Sequence, residues 1–264
     1  MLKGLPPATQ ALLEEVRKRT GKDVSVKIVP ELPSGLARTR IAWEGLAPHY
    51  VYIAHPYRDL AGYLVAHECG HILRFFAAPE PERKVPVSDA RAQRLALAQL
   101  RAELGDRATL VSSTLSQMLE MWYHGLIHQL TSQPADMMIE RWLYLDFPEL
   151  RSLQRQGLDL IHRQTVLILD PEIARITPPK VYGCSVAMNH AFFLALDRVL
   201  GTAYAKPFEK TPFASEGRKL LELAGPEPWD SLAGDIRVAT AWARHLGLTG
   251  WFSWVHYKNV PRTS

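Results

Sequence analysis

The hydrophobic period of this chain changes once, near residue 58, and that change constrains its fold more than any other feature. Before it, VSVKIV (24–29) alternates apolar and polar residues, RTRIAWEGL (38–46) does so less cleanly, and HYVYIAH (49–55) is rich in β-branched and aromatic residues. Side chains repeating every second residue line one face of a strand, and the proline and glycine between Pro30 and Gly35 and at Pro48 punctuate such segments as turns. Ahead of them, ATQALLEEVRKRT (8–20) has helical spacing with Gly21 as a stop. After residue 58 the period is helical. RDLAGYLVAHECGHILRFFA (58–77) reads as one amphipathic helix, and more helices are expected near 90–104, 107–131, 135–145, 148–168, 184–200, 214–224 and 230–246. PEPERKVPVSD (79–89), with three prolines, reads as loop. Strands early and helices late predict a mainly helical α+β fold, a single domain over 1–264. Residues 1–78 supply its strands and first long helix, and 90–264 a helical remainder.

Composition narrows the functional classes. With 47% hydrophobic and 22% charged residues in 264, the chain can bury a core and does not resemble a disordered one. The excess of 31 basic over 27 acidic side chains, a net charge of +4, is too weak to argue for a nucleic-acid partner. Cys69 and Cys184 are the only cysteines, too few for a disulfide scaffold, and both read as packed thiols. The N-terminus lacks a signal-peptide pattern, and no apolar run approaches the roughly 18 residues of a membrane span. A soluble, reduced, cytoplasmic protein is therefore expected. The aromatic C-terminal third, with Trp229, Trp242, Trp251, Phe252, Trp254 and Tyr257, reads as core packing or a partner interface rather than as a base-stacking surface.

Within the helix at 58–77, His67, Glu68, Cys69, Gly70 and His71 form an H-E-x-x-H motif. Residues four apart share one helical face, so both imidazoles can aim a nitrogen at one tetrahedral zinc ion. Glu68 lies beside the first ligand, offset from the pair, where a general base for water attack on a carbonyl must stand. Leu64, Val65, Ile72, Leu73 and Phe76 supply apolar positions to bury the rest of the helix. Gly70, unfavourable in a helix interior, suggests close approach by another element. Cys69 stands two residues from each histidine, at about 100° per residue step around the helix, and need not be a ligand.

A catalytic zinc site needs a third protein ligand and one open position. In TSQPADMMIERWLYLD (131–146), Pro134 suits the first turn of a new helix, and Asp136 and Glu140 stand four apart on one face. Met137, Ile139, Trp142 and Leu143 surround them, and a carboxylate among apolar side chains is costly unless paired or metal-bound. Glu140 is therefore the expected ligand. Asp136, nearer the helix start, is a candidate to orient a histidine from behind, and the choice of third ligand between the two stays open. Glu120, His124 and His128, at i, i+4 and i+8, offer a second or alternative metal face, read here as a polar stripe. Tyr182 and His190, in a segment read as a loop feeding a buried helix, are candidates to stabilise an oxyanion, as are His162 and Arg163.

These residues resemble the zincin metallopeptidases, and among them the gluzincin branch. The match lies in His67, Glu68 and His71, with Glu140 in the position of the downstream glutamate, 140 − 71 = 69 residues on. The order of short strands, active-site helix and glutamate-bearing helix is also similar, while the H-x-x-G-x-x-H continuation of the metzincins is absent. The resemblance covers a minority of the chain. It implies a zinc-dependent peptidase with Glu68 as general base, a zincin-like fold, and a peptide or protein substrate pairing with an edge strand, expected at 49–55. The alternative is a regulatory or interaction protein that keeps a zincin-like core without catalysis.

Overall fold

Helix α1 (Pro7–Thr20) opens on a proline, whose missing N–H is no loss in a first turn, and closes at Gly21, whose φ of 69° lets its N–H bond the Arg17 carbonyl. This computed structural model describes residues 4–33, 35–42, 45, 48–105, 114–226 and 228–260. Positions 43, 44 and 46 of the second expected strand, and 107–113 of the expected helix at 107–131, lie outside the described residues. The architecture is mixed α+β and mainly helical, with the strands near the N-terminus. The chain divides into two compact units, residues 1–83 with 138–163 and 230–232, and residues 84–137 with 164–229 and 233–264.

In the first unit, strands β1 (Val24–Val29), β2 (Ala37–Arg40) and β3 (His49–Ala54) form one sheet of order β1-β3-β2. β1 runs parallel to β3, from Val24 opposite His49 to Val29 opposite Ala54. β2 runs antiparallel to β3, from Ala37 opposite Ile53 to Arg40 opposite Tyr50. The strand at 49–55 is thus central, not the edge the sequence reading expects. Its alternating Val51 and Ile53, both fully buried, suit a strand flanked on both sides. A 3-10 turn (His55–Leu60) leads into helix α2 (Ala61–Ala77), which packs against α1, β2 and β3. The expected helix from 58 therefore begins one turn later.

Helix α4 (Leu115–Asp146) is continuous through Pro134, where the sequence reading places a break and a new first turn. Proline forfeits one backbone bond there. Buried Leu130, Ala135, Met137, Met138 and Ile139 on either side hold the helix together, so packing outweighs the local penalty. Helix α5 (Arg151–Val166) follows a 3-10 turn at Pro148–Leu150.

The second unit holds α3 (Ala90–Leu104), capped by the Asp89 side chain on the Ala92 N–H, as well as α6 (Pro171–Ile176), α7 (Pro179–Leu200), α8 (Ala214–Ala224) and α9 (Leu232–His245). Its β4 (Lys84–Val87) and β5 (Ser253–His256) pair antiparallel, where the sequence reading has a loop at 79–89. Each strand is short and pairs only with a partner about 170 residues away, which local periodicity cannot reveal. Tyr182 lies inside α7 rather than in a loop. Trp229, Trp242 and Trp251 are buried, in line with core packing. Among the described residues, no helix is long and apolar enough to cross a membrane.

Candidate metal centre

Tyr63, His67 and His71 stand at successive turns of one face of α2. The two imidazoles meet edge to face, with ring centroids 5.0 Å apart and their Nε2 atoms 3.2 Å apart. Nitrogens bound to one tetrahedral zinc at about 2.0–2.1 Å stand about 3.3–3.4 Å apart, so this pair is spaced for a shared ion. Asp136, one turn before Glu140 on the same helix α4, completes the group. Ligand atoms of His67, His71 and Asp136 all lie within 4.8 Å of one another. Two histidines and a carboxylate suit zinc and similar divalent ions and leave room for a further ligand.

Glu140 has a different place. Its side chain is 1% exposed, and Oε1 accepts hydrogen bonds from His67 Nδ1 at 2.7 Å and from the Tyr63 hydroxyl at 2.6 Å. Gln154 of α5 donates through Nε2 to Glu140 Oε2 at 2.6 Å and to the Glu140 backbone carbonyl at 2.8 Å. The bond to Glu140 assigns the His67 proton to Nδ1 and leaves the Nε2 lone pair facing His71. The Asp136 carboxylate thus converges with the two imidazoles, while Glu140 bonds the His67 ring at Nδ1, away from the Nε2 that faces His71. Burial of Glu140 is accounted for by three side-chain donors.

Gly70 makes this arrangement possible. A Cβ there would stand 2.8 Å from Ile139 Cγ2, too close for any real side chain, so α4 approaches α2 nearer than an alanine permits. Gly157 serves Tyr63 in the same way, since a Cβ would meet the tyrosine ring at 2.4 Å. Both close approaches aim at the hydrogen bonds around Glu140.

Glu68 is buried beside the histidine pair, and no donor among the described residues bonds its carboxylate. Such a carboxylate has its acceptor capacity left for water or ligand. Burial, with the Glu68 charge alongside, pushes the Cys69 thiol up to about 12, and its sulfur is not among the ligand atoms that converge with His67 and His71. Burial raises Cys184 to about 11.

The remaining candidates lie on other elements. Tyr182 packs edge-on against Phe213 at 5.7 Å, and burial raises its phenol above the ordinary value. His190 is fully buried on α7 against Gly217 of α8, and burial lowers its pKa. Both make these contacts within the second unit. Glu120, His124 and His128 lie on an exposed stripe of α4 and do not converge as ligand atoms among the described residues. His162 and Arg163 belong to the last turns of α5. Tyr63 and Gln154 are absent from the sequence-derived set. Tyr63 had a signal, its position four residues before His67 on the same face, whereas a lone glutamine on an amphipathic helix has none. Comparisons with family models, curated proteins and solved structures find no match to this chain.

Proposed function

We propose that this protein is a zinc-dependent metallopeptidase with a zincin-like site, in which His67, His71 and Asp136 hold the metal and Glu68 is the general base. The observation that carries this reading is the convergence of two Nε2 atoms and one carboxylate beside a buried glutamate free of donors. Bound zinc would activate water and polarise the scissile carbonyl. Glu68 would take the proton from the attacking water and pass it to the leaving amine. Glu140, held by Tyr63 and Gln154, would keep the His67 Nε2 lone pair aimed at the metal. The substrate would be a peptide or an extended protein segment.

Glu68→Gln tests the reading. The purified parent should carry one zinc per chain, lost to a chelator, and should cleave a peptide library. The variant should keep its zinc and lose cleavage by about 10²–10⁴-fold. A parent chain without stoichiometric zinc, or a variant as active as the parent, ends this reading.

A further inference from the structure

The three strands of the first sheet carry Lys27, Arg38 and Arg40 and not one carboxylate. Their register places these cations together. Lys27, Tyr52 and Arg38 form one row across the sheet, and Ser25, Tyr50 and Arg40 form the next. Side chains in such rows share a face, and it is the face opposite buried His49, Val51 and Ile53. Lys27 Nζ lies 4.4 Å above the Tyr50 ring. Arg38 and Arg40 are exposed, and no acidic side chain among the described residues pairs with either.

β2 bonds to β3 along one side only, and no strand among the described residues takes its other side. The Ala54 N–H bonds the Leu36 carbonyl, which sets the alternation of the antiparallel ladder. Arg38 and Arg40 turn their backbone groups towards β3, while Ala37 and Thr39 turn theirs outward. That open edge lies against the helix of the histidine pair, with Thr39 Oγ1 3.5 Å from the Glu68 backbone carbonyl. An extended segment added here would bond Ala37 and Thr39 and place every second side chain on the basic face. There its Cβ atoms come within about 5 Å of those of Arg38 and Arg40.

We propose that β2 binds substrate segments with acidic side chains two residues apart, and that Arg38 and Arg40 are the residues that select them. The two arginines repeat at the period of an extended ligand, and their guanidinium groups match carboxylates in shape as well as charge. A neutral or basic segment would forgo both pairs and leave the cations facing nothing. This selectivity rests on the peptidase reading for its purpose, but binding can be measured without catalysis.

The test uses full-length Glu68→Gln protein and two fluorescent peptides that differ only in Glu-x-Glu against Gln-x-Gln. The acidic peptide should bind about tenfold more tightly at low ionic strength, with the ratio shrinking as salt is raised. Arg38→Glu/Arg40→Glu, two exposed changes, should abolish or reverse the ratio while leaving zinc content and thermal midpoint unchanged. Acidic-peptide binding without cleavage by the parent would support this inference and defeat the peptidase reading. Cleavage by the parent with no charge preference would do the reverse. Equal binding of both peptides, or capture of a single-stranded oligonucleotide in place of either, would overturn the inference.

Discussion

One helical turn separates Asp136 from Glu140, and no local pattern tells their duties apart. From sequence, burial among Met137, Ile139 and Leu143 points to Glu140 as the carboxylate needing a metal. What satisfies it instead is Tyr63, 77 residues before it, and Gln154, 14 residues after it. Partners at such separations leave no trace in a helical period, whereas the i, i+4 histidines with Glu68 between them are legible because one turn of helix contains the whole constellation. Under the proposed function, Glu140→Gln should weaken zinc binding about 10–100-fold by disturbing His67, and Asp136→Ala should weaken it further by removing a ligand. Competition against a chromophoric chelator measures both. A larger loss for Glu140→Gln would return the ligand role to that residue. Gln154→Leu should fall in the same 10–100-fold range, and unchanged affinity in a folded variant would remove it from the site.

At the scale of elements, what brings Glu140 to His67 is the contact between α2 and α4 at Gly70. A methyl group at this position would meet Ile139, a β-branched residue with little freedom to move aside. Gly70→Ala should therefore destabilise the protein by up to about 2 kcal/mol despite its better helix propensity, since overpacking costs about 1–3 kcal/mol and propensity returns roughly 1 kcal/mol. Urea unfolding of Gly70→Ala, Ile139→Ala and the double variant should show the paired changes costing less than the sum of the singles. Strict additivity would mean that the two side chains are not in conflict. The glycine was readable as a point of close approach, because a glycine inside a long helix requires a reason. The identity of the approaching helix was not. The course of α4 was hidden for a related cause, since Pro134 is a local stop signal that only the packing around Leu130 and Met137 overrides.

Across the whole molecule, acid sensitivity should be traceable in part to His49, where the sheet begins its central strand. The ring is fully buried. Its Nδ1 accepts the Ala42 N–H at 2.9 Å, its Nε2 lies 3.1 Å from Thr20 Oγ1, and its edge meets Phe76 at 5.4 Å. Helix α1, the β2–β3 connection and helix α2 thus meet on one neutral imidazole. Burial, aided by the Lys22 charge, lowers its pKa from 6.5 to about 4. Protonation would also forfeit the bond from Ala42, since Nδ1 would become a donor. As pH falls below 6.5 the unfolded chain takes up this proton and the folded one does not, so the stability contribution, complete above 6.5, declines until about pH 4 and is constant below it. A difference of this size corresponds to about 3 kcal/mol. His49→Gln should be less stable than the parent at pH 7.5, yet should lose less stability on going to pH 4.5. Chemical denaturation at the two pH values measures both quantities. If parent and variant lose stability by the same amount over that interval, the acid sensitivity originates at other groups, and His49 acts through its packing alone.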